Sequence, residues 1–157
     1  MRNIIVALMV IVGFSGLTMA QEARVVAEDD HVAFFKSVSG DVKVVRGNSA
    51  LVPVAGTQLF RLDVVSTGPN SSSGIVFKEG TLLTLGSSTE VEISRFLFQP
   101  EAEKYDFSLY MSKGEAIYSS GKLGKLAPGS INLKTPRAAV GVRGTRFIIK
   151  VDERGTW

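Results

Sequence analysis

The chain of 157 residues is long enough for one domain with a modest core. It has no cysteine and one histidine, His31, which excludes disulfides, thiolate metal sites and a histidine-cluster metal site. The net charge of +3 is small and spread along the chain, whereas nucleic-acid binding needs a clustered basic face. We therefore predict no metal, no cofactor and no nucleic-acid partner, and a Ser-His-Asp triad would depend on that single histidine.

The first twenty residues have the pattern of a secretory signal peptide, residues 1–20. Arg2 supplies the positive start, Ile4 to Leu17 form an apolar run, and small residues end at Ala20. The alternative is a membrane anchor, but fourteen residues at about 1.5 Å each are short for a membrane core of about 30 Å. We expect cleavage after Ala20, a periplasmic or secreted protein, and no stable transmembrane anchor afterwards. Without a cysteine there is no lipoprotein attachment site.

Residues 21–38 are predicted to be a polar N-terminal tether followed by an edge strand at Ala33–Val38. The acidic residues Glu28, Asp29 and Asp30 beside His31 are interpreted as a solvated tail rather than a metal ligand set. The β domain is then expected over residues 39–157.

The middle of the chain alternates apolar and polar residues in short segments separated by glycine-rich turns, which predicts strands. Ile75–Phe77 and Leu82–Leu85 flank Lys78–Thr81 and predict a hairpin. Val91 and Ile93 are expected to face inward, and Arg95 changes the phase of the alternation.

Further along, Phe107, Leu109 and Met111 predict a strand that ends at Lys113-Gly114. Ser119–Lys125 is interpreted as a polar link, and Ile131 and Leu133 begin another strand. We find no helical stripe of three turns. The composition, with 16 glycines and many Val, Ile, Thr and Ser residues, agrees with strands and turns.

Thr135 to Val151 is the most patterned segment, reading TPRAAVGVRGTRFIIKV. Pro136 favours an extended Thr135 and stops a helix. Val140 and Val142 are expected to face the core, and the inward set then shifts to Phe147, Ile149 and Val151. Such a change of face predicts a β-bulge or tight corner at Arg143–Thr145, where Gly144 accepts a positive φ.

This segment resembles the signature of the FecR domain family. Further matches, in order, are GDVKV from Gly40, DVVSTG from Asp63, FKEGTL from Phe77, Lys113-Gly114 and SGK from Ser120. The resemblance implies an all-β periplasmic module of the bacterial cell envelope, covering about Gly40 to Val151. It suggests structural roles for a set of motif residues: Asp63, Thr67, Gly68, Gly80, Thr135, Pro136, Gly144 and Thr145.

The best-known members of that family relay a signal from an outer-membrane metal–siderophore receptor to a cytoplasmic sigma factor. Here a signal peptide stands where those members have a cytoplasmic segment and a membrane span, so the chain resembles the stand-alone exported members. Asp152–Trp157 reads as a hairpin turn and the start of another strand. One interpretation is that the domain is truncated at its C-terminus, with one sheet edge unpaired.

Together these patterns predict one all-β domain, a β-sandwich or β-roll of short antiparallel strands, with a β-solenoid as the alternative. One face stands out as a candidate for partner binding: Arg137, Ala139, Gly141, Arg143 and Arg146. Arginines around small residues could accept an extended peptide of an envelope protein or an acidic glycan, because guanidinium groups pair with carboxylates. The alternative is that the small residues allow close packing and the arginines pair with Asp or Glu of the same chain.

The expected function is that of a non-catalytic exported binding or interaction module, and not an enzyme. The alternative is a periplasmic signalling component linked to a TonB-dependent receptor and sigma-factor regulation. A remote alternative is a polysaccharide-acting hydrolase, which needs two carboxylates about 5 to 10 Å apart. Asp63 and Glu79 would be the pair to test, although a turn-capping role is favoured for Asp63.

Overall fold

The computed structural model describes residues 30–152. The predicted signal peptide, most of the tether, and Glu153–Trp157 lie outside the described residues. No helix within this range is long and apolar enough to cross a membrane.

Strands account for most of the described chain, and helix is almost absent. The one α-helix in this part, α1, is the four-residue Leu123–Leu126, and single 3-10 turns lie at Pro100–Ala102 and Pro128–Ser130. Twelve strands are formed: β1 Ala33–Ser39, β2 Val42–Arg46, β3 Ser49–Leu51, β4 Gln58–Leu59, β5 Val64–Thr67, β6 Ser72–Phe77, β7 Leu82–Leu85, β8 Glu90–Gln99, β9 Lys104–Ser119, β10 Ile131–Lys134, β11 Ala139–Gly141 and β12 Arg146–Val151.

The strands form one curled sheet in the order β3-β2-β5-β8-β9-β7-β6-β1-β4. The two ends of this path, β3 and β4, are joined by residues 52–57 alone, so the sheet has to curl back on itself. Pairing is antiparallel except between β9 and β10. The prediction of an all-β fold of short antiparallel strands is confirmed. The two-residue β4, rather than β1, is the outermost strand on its side.

An aromatic cluster joins the two halves of the curled sheet across the core. Phe77 of β6 lies edge-to-face on Phe107 of β9 at 4.9 Å between ring centroids, and stacks on Phe96 of β8 at 5.7 Å. Phe77 and Phe107 are completely or almost completely buried. A fully buried side chain of this size contributes about 1.5–3 kcal/mol, so this cluster is a main reason why the sheet closes over itself.

The longest strand, β9, passes from one half of the sheet to the other. Its first part pairs with β8 as far as Lys113, and its second part, from Gly114 to Ser119, pairs with β12 and in part with β7. The prediction that this strand ends at Lys113-Gly114 is therefore wrong. Gly114 has φ +95°. It bends the strand rather than ending it, because glycine adopts this backbone conformation without a steric cost.

Alternation correctly predicts the inward residues of several strands. Val91 and Ile93 are buried, and the register of β8 against β9 shifts between Ile93 and Arg95, where the change of phase is expected. The hairpin β6–β7 is also confirmed, with Val76 opposite Leu82. The segment 119–125, in contrast, is more than a polar link, because it begins α1 and buries Leu123 completely.

The last three strands attach to β9 at two different places. β10 lies parallel to its first part, with the buried Ile131 opposite Phe107, and β11 pairs with β10. β12 pairs with the second part of β9. Of the two predictions for Arg143–Thr145, a β-bulge or a tight corner, the corner is therefore correct, because β11 and β12 are separate strands.

The prediction that Val140 belongs to the core is wrong. It is 38% exposed, whereas Val142 is 6% exposed. Val140 lies on the expected face of β11, but within the described residues no strand covers that end of the sheet. The later inward set is predicted correctly, because Phe147, Ile149 and Val151 are partly buried against the core.

Candidate functional site

A tight turn between β10 and β11 presents Arg137 to solvent. The Thr135 N–H donates to the carbonyl oxygen of Ala138 at 2.7 Å, and the Ala138 N–H donates to Thr135 Oγ1 at 3.1 Å. Pro136 lies in this turn, where its missing N–H costs no ladder bond. Arg137 is exposed at the tip.

The outer edge of β11 is open. Among the described strands, β11 pairs with β10 alone, and Ala139 and Gly141 are exposed. The Val142 N–H donates to the carbonyl oxygen of Ile131 at 3.4 Å. Because hydrogen-bonded pairs alternate in an antiparallel ladder, Val140 bonds to β10 and the backbone groups of Ala139 and Gly141 point away from it.

Arg143 and Arg146 lie on either side of the corner between β11 and β12. Gly144 has φ +151° there, and the carbonyl oxygen of Thr145 accepts a bond of 2.8 Å from the Ser120 N–H, which fixes the corner to the end of β9. Both arginines are exposed. The structure therefore places every residue of the predicted face at the surface, and we call Arg137, Ala139, Gly141, Arg143 and Arg146 the arginine face.

The three arginines of this face make no ion pair with any residue in the range 30–152. The other described arginines each pair with an aspartate: Arg46 with Asp63 at 2.8 Å, Arg61 with Asp30 at 3.1 Å and Arg95 with Asp106 at 3.5 Å. These three exposed guanidinium groups are thus available to carboxylates from another molecule. The alternative, in which these arginines pair with Asp or Glu of the same chain, finds no such pair among residues 30–152.

An apolar cleft of about 130 Å³ lies beside the arginine face, between β11 and β12. Ile148, 59% exposed, and Val140 form its outer parts. Its lining residues are Leu133, Thr135, Val140, Phe147, Ile148, Ile149 and Lys150. Sequence reasoning missed this cleft. The signal for it is the run Phe147-Ile148-Ile149, because alternation would give a half-buried strand an outward polar residue at Ile148.

The motif residue Asp63 is completely buried and holds together one end of the sheet. Its carboxylate accepts a two-pronged bond from Arg46, with Nε to Oδ1 at 2.9 Å, and a third bond from the Phe60 N–H at 2.9 Å. The Arg46 guanidinium also lies over the Phe60 ring at 4.4 Å. The bond to Asp63 raises the pKa of Arg46 above its ordinary value, so this side chain is a permanent cation.

The motif residues Thr67 and Gly68 fix a turn near the bend of β9. Thr67 Oγ1 donates to the carbonyl oxygen of Gly86 at 2.6 Å and accepts from the Thr89 N–H at 3.0 Å. The Gly68 N–H donates to the carbonyl oxygen of Asp41 at 2.8 Å. These bonds position the backbone within the fold, which is a structural role.

Glu79, in the turn of the predicted hairpin, is a buried carboxylate, 1% exposed. Oε1 accepts from the Thr81 N–H at 3.0 Å and Oε2 from the N–H of Leu123, at the start of α1, at 3.1 Å. Gly80, with φ +95°, makes the turn that brings the carboxylate inward.

The buried hydroxyl of Tyr118 lies 3.4 Å from Thr81 Oγ1 in the same cluster. Burial raises the pKa of Tyr118 above its ordinary value, so it stays neutral. Glu79 and Asp63 share no bonding partner among the described residues, and both lie beneath the surface. They do not form the pair of accessible carboxylates that a polysaccharide hydrolase would use.

The fold and this surface define a small β module with an exposed basic strand edge. A search against protein families matches the model described as FecR protein over residues 63–156. This match covers more than half of the chain, which therefore belongs to the FecR family, a regulatory and non-enzymatic family whose members interact with envelope proteins in signalling. No curated protein and no solved structure matches the chain.

Proposed function

We propose that the chain is an exported, non-catalytic FecR module that binds a partner in the bacterial cell envelope through the arginine face. The observation that carries the proposal is the contrast among the arginines. The described arginines outside the face pair with aspartates, whereas the three on the face lie around the uncovered strand β11 and the corner that follows it and have no carboxylate partner in residues 30–152. An exposed set of unpaired donors is suited to binding a carboxylate-bearing partner.

Export is supported by the sequence of residues 1–20, which has the charge, apolar run and small-residue end of a cleaved signal peptide. The periplasm is the compartment that fits both this segment and a family whose members interact with envelope proteins.

A second candidate function is a periplasmic step in signalling between a TonB-dependent receptor and a sigma-factor regulator. Membership of a regulatory family favours it. In that case the partner on the arginine face would be the receptor or the regulator. An acidic glycan is a further candidate ligand, since it also offers carboxylates. A glycan cannot, however, pair with the open backbone edge of β11 as an added strand would.

The test is co-purification of the tagged chain from the periplasmic fraction, where we expect a mature protein that begins at Gln21. Arg137→Glu with Arg143→Glu should lose the co-purifying partner, because both guanidinium groups become carboxylates. The matched control is Lys36→Glu with Lys43→Glu, which changes charge equally at exposed positions on β1 and β2 and should retain the partner.

All four positions are exposed, so each substitution should change the free energy of unfolding by no more than about 0.5 kcal/mol. Thermal unfolding of both double variants checks this. Equal retention of the partner by the two double variants, or accumulation of uncleaved chain in the cytoplasm, would contradict the proposal.

A further inference from the structure

The free edge of β11 offers backbone hydrogen bonds as well as charge. The N–H and C=O groups of Ala139 and Gly141 point away from β10 and have no partner in the described part of the chain. Exposed strand edges of this kind accept an added strand from another chain. Ala139 and Gly141 are exposed, and no atom lies within 4 Å of a Cβ placed on Gly141.

The charge pattern opposes pairing of this edge with a second copy of the same chain. Two copies of β11 paired antiparallel about Val140 would bring the turn that carries Arg137 of each copy towards the corner that carries Arg143 of the other. Like charges directly opposite each other on neighbouring strands are destabilising. The edge is thus protected against self-association, and the same two arginines favour an incoming strand with acidic residues at those positions.

The cleft beside β11 adds a requirement for an apolar residue. Val140 lines the cleft, whereas Arg137, at the tip of the turn, and Arg143, at the corner, lie three residues before and after it, just beyond the two ends of β11. An incoming residue opposite Val140 would face the same cleft of about 130 Å³. An apolar cavity of about 150 Å³ holds a benzene molecule, so the cleft suits a branched aliphatic side chain.

We infer that the partner is a protein that adds one extended strand to the free edge of β11. This inference rests on the proposed function and specifies the partner's chemistry. The strand carries an aliphatic residue opposite Val140 and a carboxylate three residues to either side, which pair with Arg137 and Arg143. Backbone bonds to Ala139 and Gly141 supply the register, and the two ion pairs select the sequence.

A synthetic peptide of sequence Glu-Val-Thr-Ile-Thr-Val-Glu tests this inference against the full chain. Its sequence reads the same in both directions, so it meets the pattern in either strand orientation. The control peptide has lysine in place of both glutamates. We expect the acidic peptide to bind at least about tenfold more tightly, which corresponds to about 1.4 kcal/mol, and Arg137→Glu with Arg143→Glu should reverse this preference.

Gly141→Pro separates strand addition from simple ion pairing. Proline removes the outward N–H of residue 141, yet it is tolerated on an edge strand, and no atom lies within 4 Å of a Cβ placed there. The matched control is Gly141→Ala, which retains the N–H. We expect at least tenfold weaker peptide binding in the proline variant, about 1.4 kcal/mol, and little change in the alanine variant, and thermal unfolding checks that both variants remain folded.

Amide hydrogen exchange of the free protein provides the second measurement. Ala139 and Gly141 should exchange rapidly, and the acidic peptide should slow both. Slow exchange without peptide, in a monomer, would mean that another segment of this chain already covers the edge. A dimer in sedimentation would mean that a second copy does, and either result overturns the inference.

Equal peptide affinity of the Gly141→Pro variant and the unchanged chain also overturns strand addition, but it leaves the arginine face as a docking surface. A uronic-acid oligosaccharide that binds more tightly than the peptide would assign the face to glycans instead. The proposed function itself would be overturned by equal partner retention in the two charge-reversed double variants, a different result, so the two failures are distinguishable.

Discussion

Replacement of Gly114 by alanine is expected to lower the free energy of unfolding by about 2–5 kcal/mol. The backbone there has φ +95°, a conformation that costs a side-chain-bearing residue about 1–2 kcal/mol. The added Cβ would also collide with Oγ1 and Cα of Thr89, and overpacking of this kind costs about 1–3 kcal/mol. The collision would displace a hydroxyl that bonds both backbone groups of Glu115.

The comparison that isolates the collision is Gly56→Ala, measured by chemical denaturation beside Gly114→Ala. Gly56 has nearly the same φ, +91°, but no atom lies within 4 Å of its Cβ position. Gly56→Ala should therefore show the backbone cost alone. If both variants lost the same stability, Gly114 would not be the tightly packed bend that joins the two parts of β9.

Arg46→Ala is the second substitution with a large expected effect, a loss of about 3 kcal/mol. It leaves the carboxylate of Asp63 completely buried without its cation, and breaking one side of a buried pair costs about 3–5 kcal/mol. The lower end applies because the Arg46 side chain is 40% exposed, so its attraction to Asp63 is partly screened.

Urea unfolding of Arg46→Ala, Asp63→Ala and the double variant forms a cycle that measures the coupling between the two residues. The double variant should be more stable than the sum of the single losses predicts. Arg61→Ala provides the control, since its pair with Asp30 is exposed on both sides and should contribute no more than about 1 kcal/mol. A loss in Arg46→Ala as small as that of Arg61→Ala would show that Asp63 is stable without its partner.

Much of the fold follows from alternation, since a residue on a strand faces one side or the other according to local sequence alone. The phase change at Arg95 and the inward set Phe147, Ile149 and Val151 are examples. Gly114 shows where this reasoning fails. A glycine after a lysine resembles a turn, and only the pairing of β9 with β8, β7 and β12 reveals that the strand continues.

The candidate site was likewise predictable only in part from the sequence. Arg137 and Arg143 could be assigned to one face from spacing, but the cleft beside them depends on β12 pairing with β9 rather than with β11. Glu79 illustrates the same limit. It lies in the predicted hairpin turn Lys78–Thr81, yet its Oε2 accepts an N–H from Leu123, 44 residues later in the chain. Bonds over such distances do not leave a local pattern in the sequence.

The most direct test of the account is photocrosslinking in intact cells, with a photoreactive residue in place of Arg143 and, as the control, in place of Lys43 on β2. Both positions are exposed. We expect one protein adduct from position 143 and none from position 43, with the adduct lost when Arg137→Glu is added. The same adducts from both positions, or none from position 143 in a folded and exported protein, would contradict the claim that the arginine face is a docking surface.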